Sequence, residues 1–216
     1  MNIEKGYLFI TDITGYTGFL TRSELDHATE ILDALFDSIL EHLHPPMTIS
    51  GTQGDAIVCY FPEHAFVQPQ SILEGMEHIY YDFRRQLSLM KLNSTCTCKA
   101  CVNMSALDLK VFLHYGRYML QQIGERVDLQ GADVILIHRL MKNSVKERFG
   151  ITGYDGLITQ SAVCLPIGTG LGKRTPSTPR CERLGWIVPQ TVQVGLSKAY
   201  RAVLSLLRCG VLHEAP

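Results

Sequence analysis

An amphipathic pattern over residues 25–43 constrains the fold more than any other feature of this sequence. Apolar residues recur along it at spacings of three and four, the period of an α-helix with one apolar face. Ser23 precedes the pattern as a predicted N-cap, and Pro45-Pro46 end it. The runs 7–10 and 56–61, on either side of this helix, are rich in β-forming residues. Because the helix must bury its apolar face, we expect it to pack against a sheet that these runs form.

The remaining segments predict more strands and helices in a regular order. They are strands at 47–49 and 56–61 joined through 51–54, a helix at 69–90, strands at 107–115 and 118–123 that flank Gly116-Arg117 as a hairpin, a helix at 132–149 and a strand at 157–159. This order predicts an α+β fold in which helices pack on a mostly antiparallel sheet.

The chain is long enough for one domain with a sizeable core. It has 216 residues, of which 46% are hydrophobic. We expect a single domain over 1–216, with a polar, cysteine-bearing insertion at 93–105. From about 166 a C-terminal extension begins, and its Gly, Thr and Pro content at 166–179 predicts a loop or a mobile segment.

Charge and hydropathy argue against several kinds of partner. The net charge of −1 leaves no broad basic field for nucleic acid or anionic lipid. No apolar run approaches the ~18 residues that span a bilayer, and the first residues lack a signal-peptide stretch. We therefore expect a cytoplasmic protein that binds neither nucleic acid nor membrane. The seven cysteines are unevenly spaced, which favours reduced thiols over a disulfide framework.

Two aspartates stand beside glycines at predicted strand ends. Asp12 ends the first strand, and Asp55 lies beside the turn of a hairpin. A lone aspartate in a turn usually binds nearby backbone N–H groups. Two carboxylates on adjacent strands would instead converge, and paired carboxylates are the oxygen ligands that Mg²⁺ and Mn²⁺ prefer beside a nucleotide triphosphate.

The motifs around these aspartates resemble those of class III nucleotidyl cyclases. Residues 8–17 are similar to the first metal-binding motif of that family, and Gly54-Asp55-Ala56 to the second. Residues 113–116 and 131–140 resemble two later motifs, in the same order along the chain. The sequence is closer still to a bacterial family of unknown function that shares a Cys-x-Cys-x-x-Cys insertion, Leu-Asp-Leu-Lys and His-Arg-Leu-x-Lys-Asn.

The resemblance implies a fold, a ligand and an assembly. The fold would be ferredoxin-like, with a central antiparallel sheet and helices mainly on one face. Mg²⁺ or Mn²⁺ would bind at Asp12, Ile13 and Asp55, and phosphates at the turn formed by Thr14, Gly15, Tyr16 and Thr17. Arg139 would be the catalytic arginine. In a head-to-tail homodimer, Arg139 of one chain would face the aspartates of the other, around ATP or GTP.

Three positions depart from the cyclase pattern. Gly51 and Ala132 stand where those enzymes carry base-reading side chains, and Ile135 stands where they carry a ribose-binding Asn. Without these groups the attacking hydroxyl is poorly oriented. We therefore expect a divergent cyclase-like domain that binds a nucleotide or polyphosphate with a divalent metal and is weak or inactive as a cyclase. The alternative is a non-catalytic structural or interaction module with a zinc-binding cysteine loop.

Three cysteines lie within six residues of the insertion. Cys96, Cys98 and Cys101 could bind Zn²⁺ as thiolates, but a closed structural site needs a fourth ligand. Local sequence offers none, which leaves Cys164, Cys181, a histidine elsewhere in the fold or a dimer partner. Otherwise the three are ordinary loop thiols. His114 and His138 are expected to be structural, the latter as a core histidine.

Overall fold

The computed structural model describes residues 3–65, 70–124, 126–143, 153–159 and 185–188. Its strands are β1 (Ile3–Thr14), β2 (Thr48–Gln53), β3 (Ala56–Pro62), β4 (Asp108–Ile123), β5 (Arg126–Gln130), β6 (Tyr154–Thr159) and β7 (Gly185–Val188). Its α-helices are α1 (Tyr16–Arg22), α2 (Leu25–Leu40), α3 (Gln70–Asn93), α4 (Lys99–Asn103) and α5 (Ala132–Met141). Short 3₁₀ turns cover Glu63–Ala65 and Met104–Ala106.

The strands form one mixed sheet in the order β2-β3-β1-β4-β6-β7, with β5 paired to the end of β4. All neighbouring pairs described are antiparallel except β4 and β6, which are parallel. The α+β fold with a central, mostly antiparallel sheet is therefore confirmed. Because β1 pairs along its length with β4 and also pairs with β3, it lies in the middle of the sheet.

Helices cover both faces of the sheet unequally. Tyr7, Phe9 and Ile13 of β1 join a core with residues of α1, α2, α3 and α4. Leu8 and Ile10 point to the opposite face, where they pack in a smaller core with Val134 and Ile137 of α5. This alternation is the period of two expected of a strand buried on both sides. Helices thus lie mainly on one face, with α5 alone among the described helices on the other.

The predicted helix at 25–43 is present, but its first residue is capped differently. Glu24, rather than Ser23, is the N-cap residue of α2, and it makes no side-chain capping bond. Its carboxylate instead accepts a hydrogen bond from the N–H of Ala100 at 3.2 Å. Tertiary contact with α4 has replaced the local cap. The apolar face is buried from Ala28 onward as the sequence pattern predicts, with Leu35 and similar residues in the larger core, whereas Leu25 is 65% exposed.

The predicted hairpin at Gly116-Arg117 is wrong. β4 continues through both residues, because Gly116 pairs with Gly6 and Arg117 with Lys5 of β1. Gly116 is required here by a close contact and not by a turn. The carboxylate of Asp133 lies over it, accepts the Arg117 N–H at 2.7 Å and contacts Nε2 of buried His114 at 3.0 Å.

Two other boundaries differ from the sequence predictions. The β2–β3 turn consists of Gly54 and Asp55, so residues 51–53 belong to β2. The predicted helix at 132–149 ends at Met141, where the side-chain amide of Asn143 donates to the carbonyl of Leu140 at 2.8 Å. Residues 144–149, the predicted loop at 166–179, and Cys164 and Cys181 lie outside the described residues.

The cysteine-bearing insertion, predicted to be polar, packs partly against the larger core. It contains α4, and Ala100 and Met104 are fully buried against the larger core. Within the described ranges, no helix combines the length and apolar character needed to cross a membrane.

Replacement of Gly116 by alanine should destabilise the domain. A Cβ atom there would lie 2.4 to 2.6 Å from the side chain of Asp133, which is held in place by two hydrogen bonds. We expect Gly116→Ala to lower the free energy of unfolding by about 2–3 kcal/mol in urea denaturation. Gly51→Ala is the control, since nothing lies within 4 Å of a Cβ there. Equal stability of the two variants would contradict this role of Gly116.

Candidate functional site

A cleft of about 1170 Å³ opens on the α5 side of the sheet. Its floor includes Asp12 of β1 and Val58 of β3, and its walls come from β2, the β4–β5 hairpin and α5. β2 and β5 approach each other at one end, where the hydroxyl of Ser50 donates to the carbonyl of Val127 at 3.5 Å. The volume of the cleft is large enough to hold a ligand larger than an ion.

In the ranges described above, Asp12 is one of two aspartates that line the cleft, the other being Asp128. The β1 pairing places it between Ala56 of β3 and Lys110 of β4, so Asp55 lies next to its cross-strand neighbour. Burial, together with the negative charge of Asp55, raises the pKa of Asp12 to about 6, while Lys110 acts in the opposite direction. The fold thus brings the two predicted metal-binding carboxylates close enough to repel each other electrostatically.

Asp55 and Ile13 meet through their backbones. Asp55 lies in the β2–β3 turn, and its carbonyl accepts a hydrogen bond from the N–H of Ile13 at 3.3 Å. The side chain of Ile13 is buried in the larger core, on the face away from the cleft. Ile13 could therefore offer a cation only its carbonyl oxygen.

The predicted phosphate-binding turn follows directly after β1. Gly15 has a φ of 88°, and its carbonyl accepts the first hydrogen bond of α1, from Phe19 at 2.9 Å. Among the described residues, Thr14, Gly15, Tyr16, Thr17 and Asp55 are not part of the cleft lining. Phosphate binding by this turn stays a prediction.

The cationic groups of the cleft come from the end of α5. Arg139 is exposed and lines the cleft, and so does Lys142, one residue beyond the helix. Asp12 and Arg139 therefore line the same cleft within one chain. Lys142 was missed by the sequence analysis, although it belongs to the His-Arg-Leu-x-Lys-Asn motif. The resemblance to cyclases had assigned a role only to the arginine of that motif.

His138 differs from its prediction as a core histidine. It is half-buried and lines the cleft. Burial lowers its pKa, while Asp128 acts in the opposite direction. The imidazole is therefore neutral at pH 7 and offers one nitrogen as a hydrogen-bond acceptor.

The positions that depart from the cyclase pattern fall on or beside the cleft. Gly51 and Ile135 line it, and Ile135 is 57% exposed. Ala132 is exposed and is not part of the lining. Ser50, Thr52 and Gln53 of β2 also line the cleft and carry polar side chains. None of them stands at position 51, where the cyclase pattern has a base-reading side chain.

The three cysteines of the insertion meet a histidine that sequence spacing does not reveal. His27 of α2 lies beside Cys96, Cys98 and Cys101, and one ligand atom of each residue lies within 4.8 Å of the others. His27 is 69 to 74 residues from its partners along the chain. This cluster packs on the α2 side of the sheet, opposite the cleft.

The family comparison gives a match over more than half of the chain. The model described as "Protein of unknown function (DUF2652)" matches residues 32–148. The chain belongs to this family. The matched range includes Asp55, the three clustered cysteines and Arg139, while Asp12 and His27 precede it. The uncharacterized protein Rv2561/Rv2562 of Mycobacterium tuberculosis (strain ATCC 25618 / H37Rv) is 38% identical over 63 residues, which make up 29% of this chain and 30% of that protein.

Solved structures show that this family member has the fold of class III cyclase domains. A bacterial light-regulated adenylyl cyclase has a TM-score of 0.58 at 14% identity, over 75% of this chain and 45% of that chain. The guanylyl cyclase Cya2 has a TM-score of 0.53 at 17% identity, over 65% of this chain and 71% of that one. A class III adenylyl cyclase-like ATP-binding protein from Pseudomonas aeruginosa has a TM-score of 0.56 at 14% identity, over 74% and 34%.

The raised pKa of Asp12 predicts a pH-dependent stability. Because the folded value of about 6 exceeds the ordinary 3.8, the free energy of unfolding falls as pH rises between these values and stays lowered above them. Asp12→Asn removes this cost. In the absence of divalent cations we expect it to stabilise the protein at about pH 8 by about 1 kcal/mol, or roughly 2–4 °C, after allowing for partial solvent exposure.

The stabilisation by Asp12→Asn should disappear near pH 4, where the wild-type carboxyl is protonated in the folded state. Asp33→Asn, on the exposed side of α2, is the control and should show no such difference between the two pH values. Thermal unfolding of the three proteins measures both effects. A lower melting temperature for Asp12→Asn at both pH values would contradict the electrostatic cost.

Proposed function

We propose that this domain binds a nucleoside triphosphate or polyphosphate together with Mg²⁺ or Mn²⁺ in the cleft, and that it is weak or inactive as a cyclase. The observation that carries this proposal is the charge arrangement of the cleft. Asp12 ionises against both burial and the charge of Asp55, while Arg139 and Lys142 line the same space, together with one further aspartate, Asp128. Two crowded carboxylates favour a divalent cation, and two cations favour a polyanion.

The donor set fits a hard divalent cation. Asp12 and Asp55 would supply carboxylate oxygens, and Ile13 only its carbonyl oxygen, since its side chain is buried elsewhere. Oxygen ligands of this kind suit Mg²⁺ and Mn²⁺, with phosphate oxygens and water completing the shell. The bound cation would neutralise the phosphate charge, while Arg139 and Lys142 orient the phosphates by charge-assisted hydrogen bonds.

The cleft offers less to a nucleoside than to its phosphates. Gly51 has no side chain that could read a base, and Ile135 has no polar atom that could hold a ribose. Productive cyclisation needs the 3′-hydroxyl to be held in line with the α-phosphate, a positioning effect worth several kcal/mol. The likeness in fold to an ATP-binding, adenylyl cyclase-like protein from Pseudomonas aeruginosa supports ligand binding without requiring the cyclase reaction.

Binding should appear as a cation-dependent increase in melting temperature. With Mn²⁺ and ATP at about 100 times the dissociation constant, we expect roughly 5–10 °C for the wild type. Asp55→Ala should abolish the shift and Arg139→Ala should reduce it. The control variants are Asp33→Ala and Arg85→Ala, both exposed on the helices of the opposite face.

Two further measurements show which part of the ligand is recognised and whether it reacts. Inorganic tripolyphosphate should give a shift comparable to ATP and GTP, because the cleft lacks base-reading side chains at the expected positions. Incubation with Mn²⁺ and either nucleotide should yield little or no cyclic nucleotide. No shift with any triphosphate would overturn the proposal, and rapid turnover lost in Asp55→Ala would overturn the expectation of weak activity.

We also propose that the domain functions as a homodimer that closes over this cleft. Asp12 and Asp55 of one chain would then face Arg139 of the other, in addition to the Arg139 that lines the cleft of the same chain. Apolar side chains are exposed around the cleft: Ile123 is 52%, Val127 39% and Ile135 57% exposed. A second copy would cover them.

Ile135→Asp should lower the sedimentation coefficient from the value of a dimer to that of a monomer. Leu92→Asp, on the exposed side of α3, should leave it unchanged. A monomeric wild type would contradict the dimer.

The His27–cysteine cluster favours a second candidate function, an interaction module built around a metal-stabilised loop. In that case Asp12 and Asp55 would stabilise only the local structure where β1 meets the β2–β3 turn. The two candidates differ in one measurement, because the interaction module predicts no response to Mn²⁺ and triphosphates.

A further inference from the structure

The cluster of His27, Cys96, Cys98 and Cys101 has the dimensions of a closed metal site. Nδ1 of His27 lies 3.2 Å from Sγ of Cys98, 3.5 Å from Sγ of Cys96 and 3.6 Å from Sγ of Cys101. For tetrahedral zinc with Zn–S bonds of about 2.3 Å and a Zn–N bond of about 2.0–2.1 Å, the separation between nitrogen and sulfur is about 3.6 Å. The three observed separations are close to this value.

Backbone N–H groups are already placed to stabilise thiolates. The N–H of Cys98 donates to Sγ of Cys96 at 3.5 Å, and the N–H of Cys101 donates to Sγ of Cys98 at 3.4 Å. None of the three cysteines forms a disulfide in the described part of the chain. Three soft sulfur ligands and one imidazole make up a set that selects zinc over Mg²⁺ or Mn²⁺.

We propose that His27, Cys96, Cys98 and Cys101 bind one structural Zn²⁺ ion. The imidazole coordinates through Nδ1, because that nitrogen faces all three sulfurs. The four ligands fill the tetrahedron and leave no position for a substrate, so the ion has a structural role.

The ion joins the insertion to α2. The two are also connected by the hydrogen bond from the N–H of Ala100 to the carboxylate of Glu24. The same segment continues to Ala106, whose carbonyl lies 3.2 Å from the position of a Cβ on Gly15. The zinc site therefore fixes the segment that packs behind the turn after β1. It lies on the opposite face from the cleft and does not depend on nucleotide binding.

Elemental analysis and metal competition test the site directly. Wild-type protein purified without chelators should contain about one zinc ion per chain, and removal of zinc by a chelator should lower its melting temperature. His27→Ala should bind zinc more than about 100-fold more weakly, which exceeds the loss typical of changes outside the coordination shell. His64→Ala, an exposed histidine away from the cluster, should match the wild type.

Cobalt substitution keeps the test independent of variants that fail to fold. Co²⁺ added to zinc-free wild type should give the visible absorption of a tetrahedral thiolate site, and added Zn²⁺ should remove it. Less than roughly 0.2 equivalents of zinc in the wild type, together with no such spectrum, would overturn the site, since a structural site holds one ion. Unchanged zinc affinity in His27→Ala would exclude histidine as the fourth ligand. Asp55→Ala should retain full zinc content, which separates this site from the cleft.

Discussion

The pairing of β1 with both β3 and β4 is the constraint on which the rest of the structure depends. Alternate residues of β1 enter the two cores, so this strand connects the helices on one face with α5 on the other. The same pairing sets Asp12 beside the β2–β3 turn and opposite Lys110. A one-residue change of register would move Asp12 to the face that packs against α1–α4, where its charge would be far more costly. The position of the candidate site thus follows from the register of the sheet.

Patterns with a local physical cause were read correctly from the sequence. The apolar face of α2 and the strands on either side of it follow from hydrophobic periodicity, and the adjacency of Asp12 and Asp55 follows from the order of their strands. The hairpin predicted at Gly116-Arg117 is wrong because glycine occurs both in turns and at positions where another group leaves no room for a side chain. Local preference indicates a turn, but here Asp133 occupies the space that a side chain would need. Only the tertiary structure distinguishes these two uses.

Contacts between distant segments account for the remaining differences. Ser23 is a good local N-cap, yet Glu24 takes that position and binds the backbone of α4 instead. The sequence gives no signal that His27 joins the cysteine cluster, because its partners lie about seventy residues away and nothing in their spacing points to α2. Lys142 and His138 line the cleft because α5 packs on β1 through Val134 and Ile137, a contact that helical periodicity does not reveal. In each case a contact formed by folding decided what local sequence left open.

The proposed function depends on a divalent cation that Asp12 and Asp55 hold beside a polyphosphate. Anomalous diffraction from crystals soaked with Mn²⁺ and a non-hydrolysable triphosphate tests it most directly. We expect one manganese peak within about 2.1 Å of a carboxylate oxygen from each aspartate, with phosphate density extending towards an Arg139 side chain. Manganese bound elsewhere, with no phosphate density in the cleft, would contradict it.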